Sequence, residues 1–333
     1  MTRWTWKSGI AAVAAAVFVL ALSGAAYGDD QNTITKSFKV EPGGKLVVDT
    51  DLGSIDVRGG DGKSVEIKVT REVRRGDEEK VLADFKLEFD QRGNDVFVTG
   101  DHEKHGLRRF WDDFGNRLRV VFTITVPRVY NLDLQTSGGG VDVEDIEGRV
   151  ETRTSGGSLS FDRIKGNVLG KTSGGSIRIG AVEGESEVRT SGGDIRINET
   201  KGNVLARTSG GSIRIVKAGG EVDAHTSGGS VTAEDVMGAL KAGTSGGSVT
   251  ATISVQPKSR CELTTSGGSI TIYLAETIAM DVDAHSSGGH VSTDFPVTIQ
   301  GKIERDSLKA KINGGGPELY LRTSGGGVRI RKK

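Results

Sequence analysis

The chain has 333 residues, of which 50 are glycine and only 5% are aromatic. Lysine and arginine together number 44, as do aspartate and glutamate, so the formal net charge is zero. This balance argues against a nucleic-acid-binding protein, which carries a basic excess. Cys261 is the only cysteine and has no partner for an internal disulfide, so we expect it to be a small buried apolar residue.

The N-terminal 28 residues are typical of a secretory signal peptide. Arg3 and Lys7 form a charged region, residues 10–22 an apolar stretch, and residues 26–28 a cleavage site. The apolar stretch is too short for a comfortable membrane span, which disfavours the alternative of an uncleaved anchor. We expect an exported protein of the periplasm, the outer surface or the extracellular space, with no integral membrane span after cleavage.

Residues 29–135 are rich in β-strand signals but lack a strict period, and we predict that they form an N-terminal cap region. Residues 50–57 resemble a degenerate copy of the motif that repeats later in the chain. A short helix is predicted over residues 77–83. Further strands are predicted at 65–69, 85–89, 96–98 and 120–126.

A charged loop over residues 102–119 carries Trp111 together with two phenylalanines. Two interpretations are open for this loop. Its aromatic rings fold back onto the cap, or they form a recognition loop in which Trp111 is an exposed anchor.

The motif Thr-Ser-Gly-Gly repeats from residue 136 onward, and the step between copies is 18 residues before it lengthens to 21. A fixed period of this size predicts a solenoid. The copies begin at Thr136, Thr154, Thr172, Thr190, Thr208, Thr226, Thr244, Thr265, Ser286 and Thr323.

The pattern within each copy predicts two short strands. Positions in a copy are numbered as slots, and the threonine is slot 1. Slots 6 and 8 are apolar, slot 13 is glycine in six successive copies, and slots 15 and 17 are mostly apolar and in phase with the threonine. We expect the threonines to point inward and the glycines to supply positive φ at the corners.

Two architectures fit this pattern, a parallel β-solenoid and an antiparallel meander with Gly-Gly hairpins. The meander would place Lys171 opposite Arg178 and Arg189 opposite Arg196, and facing like charges destabilise a sheet. We therefore predict an all-β fold, a parallel β-solenoid (β-helix) with 18–21-residue coils over residues 136–295. Residues 296–333 are predicted to be a C-terminal solenoid cap, whose basic end at residues 329–333 discourages further stacking.

The chain resembles one bacterial family in its leader, its Pro42-Gly43-Gly44 and Val126-Pro127 segments, its repeated Thr-Ser-Gly-Gly and its glycine-rich C-terminal end. It is the DUF4097 or "putative adhesin" β-strand-repeat family, and the resemblance covers essentially the whole mature chain. The resemblance implies an exported β-solenoid, and it supplies no catalytic residues.

Stacked coils turn each slot into a column, and two columns are basic. One interpretation is a solvated face in which acidic neighbours such as Glu187 offset the charge. The other is a strip that binds an anionic polymer, such as an acidic polysaccharide. Slot 18 contributes Arg153, Lys171, Arg189, Arg207 and His225, and slot 7 contributes Arg178, Arg196 and Arg214.

Metal, cofactor and catalytic sites are weakly supported. Only one copy, with Asp194, has an aspartate directly after its glycine pair, which disfavours a calcium-binding β-roll. His102 with His105, and His285 with His290, lack a third ligand. Glu144 and Asp162 share a slot in adjacent copies but have no aromatic platform beside them. We predict no cofactor and no enzymatic activity.

The sequence therefore predicts a non-catalytic exported β-solenoid that acts as an adhesin-like binding module of the bacterial cell envelope. Its expected partner is an envelope polysaccharide or a surface protein. The alternatives are a self-associating structural protein of the envelope and a polysaccharide lyase or hydrolase. The candidate ligand-binding residues are Lys171, Arg178, Arg189, Arg196, Arg207, Arg214 and Trp111.

Overall fold

The computed structural model describes residues 32–102, 117–299 and 304–333. The predicted signal peptide, His105 and Trp111 lie outside these ranges. The described residues belong to one compact unit that begins at Asn32. They form 29 strands and one short helix, and none of their helices is long and apolar enough to span a membrane.

The strands and the helix have the following bounds. They are β1 (Thr33–Lys39), β2 (Lys45–Thr50), β3 (Ser54–Gly60), β4 (Ser64–Val73), α1 (Glu78–Ala83), β5 (Phe85–Arg92), β6 (Asp95–His102), β7 (Leu118–Pro127), β8 (Asn131–Thr136), β9 (Val141–Glu144), β10 (Val150–Arg153), β11 (Leu159–Asp162), β12 (Val168–Lys171), β13 (Ile177–Val182), β14 (Ser186–Arg189), β15 (Ile195–Thr200), β16 (Val204–Arg207), β17 (Ile213–Ala218), β18 (Val222–His225), β19 (Val231–Val236), β20 (Leu240–Thr244), β21 (Val249–Ile253), β22 (Cys261–Thr265), β23 (Ile270–Leu274), β24 (Met280–Ser286), β25 (Val291–Thr293), β26 (Val297–Ile299), β27 (Ser307–Ile312), β28 (Glu318–Thr323) and β29 (Val328–Lys332).

These strands form two long sheets, and each coil contributes one strand to each sheet. Successive coils pair in parallel, as in Ile177 opposite Ile195 and Val150 opposite Val168. The predicted parallel β-solenoid is confirmed, and the antiparallel meander is excluded. Sheet A has the order β1-β4-β7-β3-β9-β11-β13-β15-β17-β19-β21-β23-β29-β25, and sheet B has the order β26-β27-β24-β28-β22-β20-β18-β16-β14-β12-β10-β8-β2-β6-β5.

The core lies between the two sheets and is built from the apolar slots of each coil. Ile177 and Ile179 of sheet A and Val188 of sheet B are at most 1% exposed. Cys261 is likewise buried, as predicted, and burial raises the pKa of its thiol. Phe161 is the largest fully buried side chain of its copy, and its ring fills the space above Gly170, which lacks a side chain.

The threonine of each copy points inward and joins two coils through its hydroxyl group. The Oγ1 of Thr190 donates to the carbonyl oxygen of Gly175 in the preceding coil at 2.7 Å. The same oxygen accepts the N–H of Gly193 in its own coil at 3.4 Å. The predicted inward orientation is confirmed, and the ladder satisfies polar backbone groups that the corner would otherwise bury unpaired.

The second glycine of each motif is required by close contact between coils. A Cβ on Gly175 would lie 2.0 Å from the carbonyl oxygen of Gly157, whereas one on Gly174 would lie 3.3 Å from that of Gly156. Neither Gly174 nor Gly175 has a positive φ. The expectation that these glycines supply positive φ is therefore wrong, because it is the spacing of the stacked backbones that excludes a side chain.

The order of the coils differs from their order in the sequence at the C-terminal end. The coil formed by β28 and β29 lies between the coil of β22 and β23 and the coil of β24 and β25. Their first residues, Thr265, Thr323 and Ser286, therefore follow one another in the stack. The hydroxyl of Thr323 accordingly donates to Gly268, and that of Ser286 donates to Gly326. The basic residues 329–333 do not stop the stacking, since β29 has a parallel neighbour on each edge.

The N-terminal end has a similar insertion. Residues 50–57 belong to the coil formed by β2 and β3, and β3 pairs in parallel with β9, which confirms the predicted degenerate copy. This coil lies between β8–β9 on one side and β6–β7 on the other. Beyond it, β4 and β1 in sheet A and β5 in sheet B pair in antiparallel fashion. The predicted helix is α1, which is capped by Asp77.

Candidate functional site

The two predicted basic columns lie on different sheets, one on each side of the Ser-Gly-Gly corner. The sheet-A column comprises Arg178, Arg196 and Arg214, which are direct neighbours on β13, β15 and β17. The slot-18 residues end successive strands of sheet B, from Arg153 on β10 to His225 on β18. The stacking that the sequence predicts for these residues is therefore present in the structure.

The column on sheet B continues beyond His225 with residues that the sequence reasoning missed. Arg322 and His285 occupy the same position on β28 and β24, and Arg322 precedes His285 in the stack. Each directly precedes the first residue of a copy, so slot counting could have found both. The sheet-B column is hereafter Arg153, Lys171, Arg189, Arg207, His225, Gly243, Thr264, Arg322 and His285.

Carboxylates accompany many of these cations. Four of the six candidate lysines and arginines form ion pairs, with side chains between 30% and 59% exposed, and Arg153 of the sheet-B column pairs with Glu151. Among the residues that the structure describes, Lys171 and Arg178 have no ion-pair partner. The four pairs are Arg189–Glu187 at 3.1 Å, Arg196–Asp194 at 2.9 Å, Arg207–Asp223 at 2.5 Å and Arg214–Glu234 at 2.5 Å.

Arg207, Asp223 and His225 form the most closely connected group of the sheet-B column. Burial raises the pKa of Asp223, but the hydrogen bond and charge of Arg207 outweigh this effect and leave the pKa below its usual value. Burial and the charge of Arg207 lower the pKa of His225. The imidazole is therefore mostly neutral at pH 7, and the charge of Asp223 is balanced by Arg207.

The opposite corner of the coil, at slots 10 and 12, arranges its charges differently. Glu147 is 2.7 Å from Lys165, and Glu183 is 3.1 Å from Lys201. In the neighbouring column, a hydrogen bond from Lys217 lowers the pKa of Glu199. Acidic and basic residues thus alternate from coil to coil there. The fold does not require like charges to stack, which makes the two basic columns a distinctive feature of the Ser-Gly-Gly side.

The candidate carboxylate pair, Glu144 and Asp162, is adjacent on β9 and β11. Arg163 contacts both carboxylates and also forms a two-point hydrogen bond with Asp145, whose pKa it lowers. The pair therefore belongs to an ion-pair network centred on Arg163. In this network both carboxylates already have a cationic partner.

Other candidate residues do not converge. Within the ranges 32–102, 117–299 and 304–333, no group of three or more histidine, cysteine, aspartate or glutamate side chains is arranged to hold a metal ion. Asp194 instead accepts the N–H of Ser212 at 2.9 Å. Serines in the same slot, such as Ser176, make the equivalent bond to the next coil. The slot after the glycine pair is therefore structural.

The chain is similar to a protein family and to solved structures. The model of DUF4097, described as Toastrack DUF4097, matches residues 44–331. A "putative lipid binding protein" from Parabacteroides distasonis is 14% identical with a TM-score of 0.38, over 91% of this chain and 98% of that one. A "putative adhesin" from Bacteroides fragilis is 15% identical with a TM-score of 0.33, also over 91% and 98%. No curated protein matches the sequence.

Proposed function

Since the chain belongs to the DUF4097 (Toastrack) family, we propose that it is a non-catalytic, exported binding module of the bacterial cell envelope that holds an anionic polymer along its sheet-B column. The sheet-A column forms a second strip across the Ser-Gly-Gly corner. The observation that carries this proposal is the uninterrupted run from Arg153 to His225, in which every coil adds one basic side chain.

Like charges at strand spacing repel each other, so a run of this kind reduces stability unless anions offset it. The chain's own carboxylates supply part of that offset, but exposed ion pairs are worth only about 0–1 kcal/mol each. The anionic groups of a ligand therefore compete readily for Arg189, which is half-exposed. Lys171 has no ion-pair partner among the described residues and is open to direct contact.

A polymer suits this surface better than a small ligand does. Four successive coils, from Arg153 to Arg207, each add one cation about 4.8 Å from the last, and the nine positions of the column from Arg153 to His285 extend over roughly 40 Å. Each contact with a solvated cation is weak, and a chain with regularly spaced acidic groups adds many of them. Trp111 remains a predicted further contact, because it lies outside the described residues.

The test is binding of the mature chain to a panel of acidic and neutral envelope polysaccharides at several salt concentrations. Three triple variants are compared with the unaltered protein, and each removes three positive charges. They are Lys171→Ser with Arg189→Ser and Arg207→Ser; Arg178→Ser with Arg196→Ser and Arg214→Ser; and, as the matched control, Lys165→Ser with Lys201→Ser and Lys217→Ser.

We expect binding to an acidic polysaccharide that weakens as salt screens the charges. The sheet-B variant should lose at least about tenfold in affinity, which is about 1.4 kcal/mol, and the control variant should bind like the unaltered protein. An equal loss in the control would show a non-specific effect of net charge. Absence of binding to every polysaccharide would refute the proposal and favour a self-associating structural protein.

A further inference from the structure

The sheet-B column contains one position without a side chain. Gly243 lies between His225 and Thr264 in the stack, where the preceding coils present basic residues. A recess of about 390 Å³ opens at this point and extends toward His285 and Arg322. We call it the Gly243 recess.

Two polar groups converge on the space above Gly243. A Cβ at this position would lie 2.9 Å from the Nε2 of His225 and 2.9 Å from the Oγ1 of Thr264. The opposite edge of the imidazole is already occupied, since its Nδ1 is 2.7 Å from Nη1 of Arg207 and 3.0 Å from Oδ1 of Asp223. When Nδ1 accepts the Arg207 N–H, Nε2 carries the proton and faces the recess as a donor.

Arg322 lies one coil beyond Thr264, at the far end of the recess, and its guanidinium is turned toward β24 and away from Gly243. Its Nη1 donates to the backbone oxygen of Asp283 at 2.8 Å, and its Nη2 donates to the Asp283 carboxylate, also at 2.8 Å. Its guanidinium lies 4.1 Å from the ring centre of Tyr320, and Arg260 covers the same ring at 4.4 Å. These contacts fix the guanidinium at the far end of the recess, where Asp283 partly offsets its charge.

Hydroxyl groups complete the lining. Four of the five coils that border the recess contribute the serine of their Ser-Gly-Gly corner, and these serines are exposed. Hydroxyls both donate and accept hydrogen bonds, as the hydroxyl groups of a sugar do. The serines are Ser245, Ser266, Ser287 and Ser324.

We propose that the Gly243 recess binds one carboxylate-bearing sugar residue, with its acidic group accepting hydrogen bonds from His225 and Thr264 and its ring against the serines. This inference rests on the proposed function and identifies the polymer as one that contains uronic acid residues. The two donors, His225 and Thr264, are neutral, and the charge of Arg322 at the far end of the recess is partly offset by Asp283. A singly charged carboxylate therefore suits the recess better than a phosphate group, which carries a charge of about −1.5 to −2.

The experiment follows the imidazole signals of the full-length mature protein by nuclear magnetic resonance during titration. The probes are sodium glucuronate, glucose and inorganic phosphate. Gly243→Ala places a methyl group between His225 and Thr264, whose side-chain atoms are the ones that its Cβ would approach most closely and can adjust. Thr264→Val removes one donor at constant shape. Thr250→Val, an outward threonine on sheet A, is the matched control.

Glucuronate should shift the His225 signals in a saturable manner, with at least tenfold weaker binding to Gly243→Ala and Thr264→Val and unchanged binding to Thr250→Val. Glucose should give no saturable shift. No effect of glucuronate on His225, or an equal effect of phosphate, would overturn the inference. Suppose that glucuronate has no effect on His225, but the polysaccharide binds the unaltered protein and not the sheet-B triple variant. That result overturns only the recess and leaves the proposed function standing.

Discussion

The hydroxyl of the slot-1 threonine serves two hydrogen-bonding partners at a largely buried position. Thr190 is only 6% exposed, and its Oγ1 contacts both Gly175 and Gly193. Valine has almost the same shape but no hydroxyl. Its introduction leaves a carbonyl and an N–H unpaired in the corner, and such groups cost about 1–3 kcal/mol when buried.

We therefore expect Thr190→Val to lower the free energy of unfolding by about 1–3 kcal/mol, measured by urea denaturation. Thr190→Ser keeps the hydroxyl and loses one methyl group, so its cost should be about 1 kcal/mol or less. Ser286 occupies the same slot and makes both equivalent bonds, which shows that serine fits there. Equal stability of Thr190→Val and the unaltered protein would contradict the role of the ladder.

The two glycines of one motif offer a second comparison at this scale. A Cβ on Gly175 meets a backbone oxygen at 2.0 Å, and the backbone of the neighbouring coil has no room to move away. Gly175→Ala should therefore destabilise the protein by more than about 3 kcal/mol. In Gly174→Ala the new Cβ lies 3.3 Å from the carbonyl oxygen of Gly156, so this substitution should cost less than about 1 kcal/mol.

Thermal or urea unfolding of the two alanine variants measures this difference directly. If glycine were needed for its conformational freedom, both positions should be about equally sensitive. A similar loss of stability in both variants would therefore restore the explanation from backbone conformation and refute the one from close contact.

At the scale of the strands, the position of the C-terminal coil is the least expected feature. Arg329 on β29 lies between Thr271 on β23 and Ser292 on β25, and all three are in one outward column of sheet A. Neighbouring strands are about 4.8 Å apart, so Thr271 and Ser292 are separated by roughly 10 Å. A disulfide requires Cα atoms closer than about 7 Å.

The double variant Thr271→Cys with Arg329→Cys should therefore form a disulfide under mild oxidation, as measured by non-reducing electrophoresis after proteolysis and by thiol titration. Thr271→Cys with Ser292→Cys is the matched control and should stay reduced. Cys261 is buried and should not interfere. The reverse outcome would mean that the coils stack in the order of the sequence.

The sequence predicts the inside of each coil well and the order of the coils poorly, for one physical reason. The alternation at Ile177 and Ile179 depends on local geometry, and so does the inward threonine at Thr190. The copies are nearly equivalent, however, so the repeat defines which slots form a column and not which coil is adjacent to which. The insertion of β28 and β29 depends on a long connection without the period, so slot counting could assign Arg322 to the column but not its place before His285 in the stack.

For the candidate site, too, the sequence predicts some features and not others. Slot counting alone is enough to place Arg178 next to Arg196 and Lys171 next to Arg189. It does not reveal that Arg207 pairs with a carboxylate of the next coil, Asp223, or that Arg163 neutralises Glu144 and Asp162. Those contacts depend on side-chain conformations, which the period does not determine.

At the scale of the whole molecule, the central claim is that the ligand runs along the sheet-B column. Nine positions at about 4.8 Å extend over roughly 40 Å. Each acidic group that reaches another cation adds binding energy until the ligand spans the column. Affinity should therefore depend on the length of the ligand.

The decisive measurement is the dissociation constant of the mature chain for a size-fractionated series of acidic oligosaccharides at low salt. We predict that affinity rises steadily with length and levels off when the oligosaccharide reaches about 40 Å, and that the Lys171→Ser, Arg189→Ser, Arg207→Ser variant shows a much shallower rise. An affinity that is already maximal for a single sugar, or that does not change with length in either protein, would contradict binding along the column.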